Sequence, residues 1–446
     1  MKTQPVFKRS EQGQVLVIMI LVLVGLLAFA ALTVDAGMLY FDRRQAQNGA
    51  DSAALAGAGR AGSLMDKNAI LYENFNCNSG GMVMTTIAQA ARDYGIQYAN
   101  NNHFTITADT STTDAGLQGK TDYVNIKCVN LNLGGYYDRY LDIRIKVTTQ
   151  TKTAFAQMFF SDKLLSTVEA IARVYPRTKM QYGYAIVSLG TQCGQNTGGV
   201  YLDGTIDTTV NGGGIYSNSC LIKNGNSGIV TISNGGAYAR TSVSYQSGTI
   251  NPPPSVLPAG SPPMPRFEVP APDCASVPNQ GDSNGGNLVP GRYGNITIAQ
   301  DTVFAPGLYC VSGTIKDNGH QLISVSGTDD QGITIYLTDS GDISLTGSEV
   351  RIRAPKIDMP PAIKGMLIYM AAGSDNLIEL TGNNNSFTRG TIYAPDGKID
   401  IGGNADVPYA TQLVGKVVKT HGSVNLVVNF EDSYPWIRLP QLMLNK

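Results

Sequence analysis

Charge is what this sequence holds least of. Lys and Arg number 33 and Asp and Glu 34, together 15% of 446 residues, against about 25% in ordinary soluble domains. The two signs cancel, which leaves no electrostatic reason to expect nucleic acid as a partner. Histidine is scarcer still: His103, His320 and His421 stand far apart, with no HExxH. No G-x-S-x-G elbow and no P-loop is present. No two cysteines form C-x-x-C, so zinc and thioredoxin-like sites lack their signature. These gaps imply no cofactor and no metal, and they point away from an enzyme.

Glycine, in contrast, is abundant at 50 residues, without the Gly-X-Y period of collagen. Many glycines among Asn, Ser and Thr suit an all-β, turn-rich chain on the exported side of a membrane. Six cysteines fit the same compartment: Cys77, Cys128, Cys193, Cys220, Cys274 and Cys310. Scattered and even in number, they read as disulfides between sequence neighbours, with buried free thiols as the alternative.

Residues 15–34 read VLVIMILVLVGLLAFAALTV, with no charge among them. As a helix they span about 30 Å, the thickness of a bilayer core. Lys2, Lys8 and Arg9 precede them, against one Glu11. The positive-inside rule then places residues 1–14 in the cytoplasm and everything after Asp35 outside. Ala28-Phe29-Ala30 also fits a signal-peptidase site. The apolar run outlasts a signal h-region, however, and continues beyond that site, which favours an uncleaved anchor. A prepilin leader ending at Gly13 would lack the acidic residue that such leaders place early in the mature chain.

The helix should continue through 35–60, which holds no proline and much alanine. Ala46, Ala50, Ala54 and Ala58 recur every four residues, with Gly49, Ala53 and Gly57 beside them. Side chains four apart share one helix face. That face is smooth enough for another backbone to approach closely. It is a docking stripe, either for a partner protein's helix or for the chain's own next domain.

Residues 10–60 resemble the N-terminal module of TadE/TadG-like proteins of the tight-adherence (Flp) pilus system. The resemblance is carried by Glu11-Gln12-Gly13-Gln14, the apolar run, Val34-Asp35-Ala36-Gly37, Tyr40, Arg43-Arg44, Gln47 and Ala50 through Ala58. It implies a membrane-anchored pilus-assembly or pseudopilin-like protein, with the cytoplasmic membrane and other pilus components as partners. Residues 143–176 extend the resemblance with less specific residues.

The region 61–178 reads as a small α+β, pseudopilin-like domain. Residues 82–102 have helical spacing. Strand-like runs follow at 103–108, 123–129 and 141–149, then a short helix at 153–160 and a strand at 167–175. Leu141, Ile143, Ile145 and Val147 alternate with polar residues, as in a half-buried strand. Asp109-Thr110-Ser111-Thr112-Thr113 formally fits a von Willebrand-type metal motif, but a polar turn explains it without the large doubly wound sheet that motif requires.

From 181 to 446 the chain is all-β. A Pro-rich stretch at 252–272 reads as an excursion between β segments. Short Ile/Val/Leu/Thr runs fill the rest, at 228–233, 294–298, 332–337, 342–347, 349–355, 365–371, 377–382, 390–395, 398–403 and 423–430. A sandwich or a parallel β-helix would fit. The near-duplicates Ile343–Gly347 and Ile378–Gly382 favour stacked coils. Pro306–Tyr309, Gly365–Tyr369 and Gly390–Pro395 resemble the β-helical C-terminal domains of some pilus-associated membrane proteins. Many β-helices cleave polysaccharides, and Asp329-Asp330, Asp339/Asp342 and Asp396/Asp400 are the candidate acids for such a role. Each sits beside Gly or Ser in an apparent turn, and a solvated turn is the preferred reading. Function is thus expected in assembly at the cell surface. Adhesion to surface glycans through exposed tyrosines is the alternative, with a carbohydrate-active enzyme behind both.

Overall fold

The computed structural model describes residues 12–155, 163–204, 207–225, 228–319, 321–338, 340–347, 349–383, 385–403, 407–422 and 426–445. Glu11, His320, Asp339, the basic residues Lys2, Lys8 and Arg9, and most of the helix expected at 153–160 lie outside them.

The chain begins with one helix, α1 (Gln12–Lys67), of 56 residues, about 84 Å long at 1.5 Å per residue. No proline interrupts it, and Leu and Ala, both strong helix formers, dominate it. None of its most apolar stretch is buried by the described residues. From Asp35 onward one side is buried. The helix outlasts the expected 35–60 by seven residues, ending at Lys67.

A π-helical turn at Val83–Ile87 leads into α2 (Ala88–Asn101), which runs back along α1. Behind both helices stands a five-stranded sheet. It contains β1 (Thr107–Asp109), β2 (Tyr123–Asn132), β3 (Tyr137–Thr151) and β4 (Leu164–Tyr175) in that order. β1 pairs parallel to β2; the other pairings are antiparallel. Leu141, Ile143, Ile145 and Val147 are fully buried, and their core includes Val124, Ala172 and Val174.

The fifth strand is the C-terminal Gln441–Asn445, beside β4. This differs from the expectation that 181–446 forms one β-helical unit. Leu442 reaches the open side of Gly62 on α1, and Leu444 packs on the helix–sheet core. Two short segments, Thr178–Lys179 and Ile437–Arg438, pair just before this return.

The second body is a parallel β-helix, not a sandwich: every strand pairing in its 25-stranded sheet is parallel. Its rungs do not stack in chain order. The first coil lies against the last, with Ile186–Ser188 beside Leu413–Gly415 and Thr208–Asn211 beside Leu426–Asn429. From there rungs at Ile215–Ser217, Ala237–Ala239 and Ser255–Val256 wind outward. The Pro-rich segment then runs back outside to the opposite end. There Asn279–Ser283 opens a second stack, which winds through Gly291–Ile298, Gly307–Val311, Ile333–Leu337, Met366–Met370 and Phe387–Gly403 to Val407–Gly422. The solenoid is therefore circularly permuted.

One aliphatic column crosses the permutation point without a gap. Ile296, Ile315, Ile343, Ile378, Ile399, Val418, Val200 and Leu221 sit on successive rungs, and all are buried. The near-duplicates at 343 and 378 are thus directly stacked rungs, one coil apart.

Candidate functional site

The residues singled out on α1 fall into an apolar collar, a buried acid and a small-residue face. The collar, 15–34, projects Leu, Val, Ile and Phe outward on all sides, with Leu21 66% and Phe29 73% exposed. Such a helix has no stable place in water and suits a bilayer core.

Asp35 ends the collar and is buried, 5% exposed. One of its oxygens accepts from Ala154 N at 2.7 Å, and both accept from Phe155 N at 3.2 Å. A carboxylate paired with backbone N–H groups is a strong, charge-assisted clamp. It pins the end of the β3–β4 hairpin to the foot of the domain. The sequence marked Asp35 as the first charge after the apolar run and as part of the resemblance, but not as a clamp; that role requires a partner 120 residues away.

Ala46, Ala50, Ala53, Ala54 and Ala58 are fully buried. What covers them is the chain's own domain, so the stripe offers no free face to a partner protein's helix. α2 contributes a matching face of Ala88, Ala91, Gly95 and Ala99. A Cβ on Gly57 would stand 2.8 Å from the Ala91 carbonyl oxygen and 3.0 Å from Ile143 Cγ2. One on Gly49 would strike the Phe104 ring at 2.5 Å. Glycine here is what lets two backbones and a sheet meet.

The six cysteines form three disulfides, Cys77–Cys128, Cys193–Cys220 and Cys274–Cys310. The first ties the segment after α1 to β2. The second lies within the first coils. The third fastens the Pro-rich segment to the solenoid.

That segment is a strap. Met264 N donates to Asn218 Oδ1 at 2.7 Å, and Phe267 N to Gln181 Oε1 at 3.0 Å. Beneath it, Tyr336, Tyr369 and Tyr393 stack on adjacent rungs, their rings 5.1 and 5.7 Å apart. Tyr393 Oη donates to Phe267 O at 2.6 Å, and Tyr369 Oη to Val269 O at 2.7 Å. Burial raises both phenols, that of Tyr369 to about 12. The strap thus covers Tyr369 and Tyr393, which are not presented for stacking on sugars.

Among the described acidic candidates, Asp330, Asp396 and Asp400 are each paired with a different basic residue. Asp330 pairs with Lys356 at 3.2 Å. Asp396 bonds Arg266 at 3.0 Å and accepts from Gly373 N at 2.8 Å. Asp400 lies 2.6 Å from His421 Nδ1 and 3.5 Å from Lys419. Asp109 is held by Lys120 and by Ser111 N, and the Lys120 hydrogen bond lowers its carboxyl to about 2. No cluster of His, Cys, Asp and Glu fit for a metal ion occurs among the described residues. A recess of about 720 Å³ lies between the two bodies and presents Tyr72, Tyr137, Tyr182 and Tyr238 beside Glu73 and Asn234.

Residues 13–60 match the family described as Tad, putative Flp pilus-assembly TadE/G-like. No curated protein matches the chain. The matched residues hold the collar, Asp35 and the small-residue face, and a helix of this kind makes the protein membrane-anchored.

Proposed function

We propose that this chain, whose first helix carries a TadE/G-like Flp pilus-assembly domain, is a structural component of the pilus-assembly apparatus. It is held uncleaved in the cytoplasmic membrane by residues 15–34 and displays its other domains outside the cell membrane. The observation that carries this reading is the coincidence of the matched range 13–60 with a helix that is both anchor and core. Three disulfides support the outer location, since they persist in oxidising compartments. Lys2, Lys8 and Arg9 support a cytoplasmic N-terminus.

In this role the protein performs no chemistry. α1 transmits position from the bilayer to the sheet without a hinge, and the β-helix is a stiff platform for other pilus-assembly or pseudopilin-like proteins. Cross-linking in cells followed by purification of the tagged chain tests the reading. Pilus-assembly proteins should co-purify, and their absence from the cross-linked material would reject it. Protease added to spheroplasts should digest the β-helix while an N-terminal tag survives.

The tyrosine-lined recess supports a second reading, a surface for neutral glycans, because Tyr offers both a ring face and a polar tip. Retention on a glycan array that disappears in Tyr137→Ala with Tyr238→Ala would support it. An array without retention would reject it.

A further inference from the structure

The α+β domain stands on end, and its lower tip bears an apolar patch. α1 and β4 run in the same direction. Asp35 meets Ala154 and Phe155 at the tip, Gln47 meets Glu169 O at 3.4 Å, and Gly62 faces Val174. The tip therefore lies level with Val34, the last residue of the apolar run. Around it Phe155, Leu164 and Leu165 are 42%, 42% and 66% exposed. Lys152 and Lys163 are exposed beside them, as are Tyr40, Phe41, Arg43 and Arg44 on α1.

We infer that this tip is immersed in the headgroup layer of the same membrane that α1 crosses, so that the domain is seated on the bilayer rather than held above it. The interfacial layer adds about 5–7 Å on each side of the hydrocarbon core. The clamp on Asp35 leaves the tip no further from that core than about one helix turn, 5.4 Å. Leucine and phenylalanine at that depth leave water, while lysine and arginine stems reach the phosphates. Tyr40 and Phe41 stand about 9–11 Å above Val34, just outside that layer. The occupant is a phospholipid surface because the patch is continuous with the membrane-spanning collar and carries cationic residues at its rim.

The inference rests on α1 spanning the bilayer, and one experiment separates the two. The chain has a single tryptophan, Trp436, which lies at the junction of the two bodies, where its backbone N bonds Thr391 Oγ1. The full chain is placed in nanodiscs with or without lipids brominated on their acyl chains, and tryptophan emission is read. Leu165→Trp and Phe155→Trp should show blue-shifted emission that brominated lipid quenches. Leu131→Trp, on an exposed residue at the opposite end of the sheet, should lose none, like the wild-type Trp436. Leu21→Trp reports on the span. Quenching at Leu21→Trp without quenching at either tip variant overturns the inference alone. Loss of quenching at all three overturns both.

Discussion

At the residue scale, two glycines on one helix should respond in opposite directions. Gly57 is pressed against α2 and β3, whereas a Cβ on Gly59 meets nothing within 4 Å. Gly59→Ala should gain about 1 kcal/mol from helix propensity. Gly57→Ala should lose about 1–2 kcal/mol net, as overpacking outweighs that gain. Thermal unfolding in detergent would show the contrast. The Asp400 hydrogen bond raises the His421 imidazolium above its ordinary 6.5. A raised folded-state value means stability that is complete below about pH 6.5 and fades as pH rises through the raised value. His421→Asn should therefore lower the melting temperature more at pH 5.5 than at pH 9. An equal loss at both would assign His421 a packing role. Single residues were legible in the sequence where composition decides, as in the small-residue face. They were not where a distant partner decides, as at Asp35 or Asp400.

At the element scale, helices and rungs follow their local patterns. β3 alternates as its sequence dictates, and the Ile/Val/Leu runs from 332 to 403 each lie in a strand. The glycine-rich strands before residue 256 were less visible, because three- and four-residue rungs such as Ile215–Ser217 have too little length to show a period. The strap was visible as proline but not as a cover, since its tyrosine partners lie on rungs 100 and 126 residues later. Tyr369→Phe with Tyr393→Phe leaves the buried carbonyls of Val269 and Phe267 unpaired, at about 1–3 kcal/mol each. Limited proteolysis should then cut within 258–273 faster than in wild type. Unchanged cutting would show that the Cys274–Cys310 bond and the apolar contacts suffice.

At the scale of the whole molecule, the two bodies are interleaved. The chain leaves the α+β domain after β4, builds the solenoid from its middle, and returns to add the last strand beside β4. Local pattern carries no trace of this order, because each rung needs only a neighbour of matching register, whichever part of the chain supplies it. Truncation after Leu439 should speed hydrogen exchange at Ala172 and Val174, which pair with that strand, and leave the solenoid column of Ile343 and Ile378 protected. Equal acceleration in both bodies would mean that the solenoid depends on this closure.

The most direct measurement is a count of Flp pili on cells that lack this chain and on cells complemented with it. A membrane-anchored assembly component should leave deletion cells bare, and the full chain should restore pili where a version without residues 13–60 does not. Normal pili on the deletion cells would contradict the account.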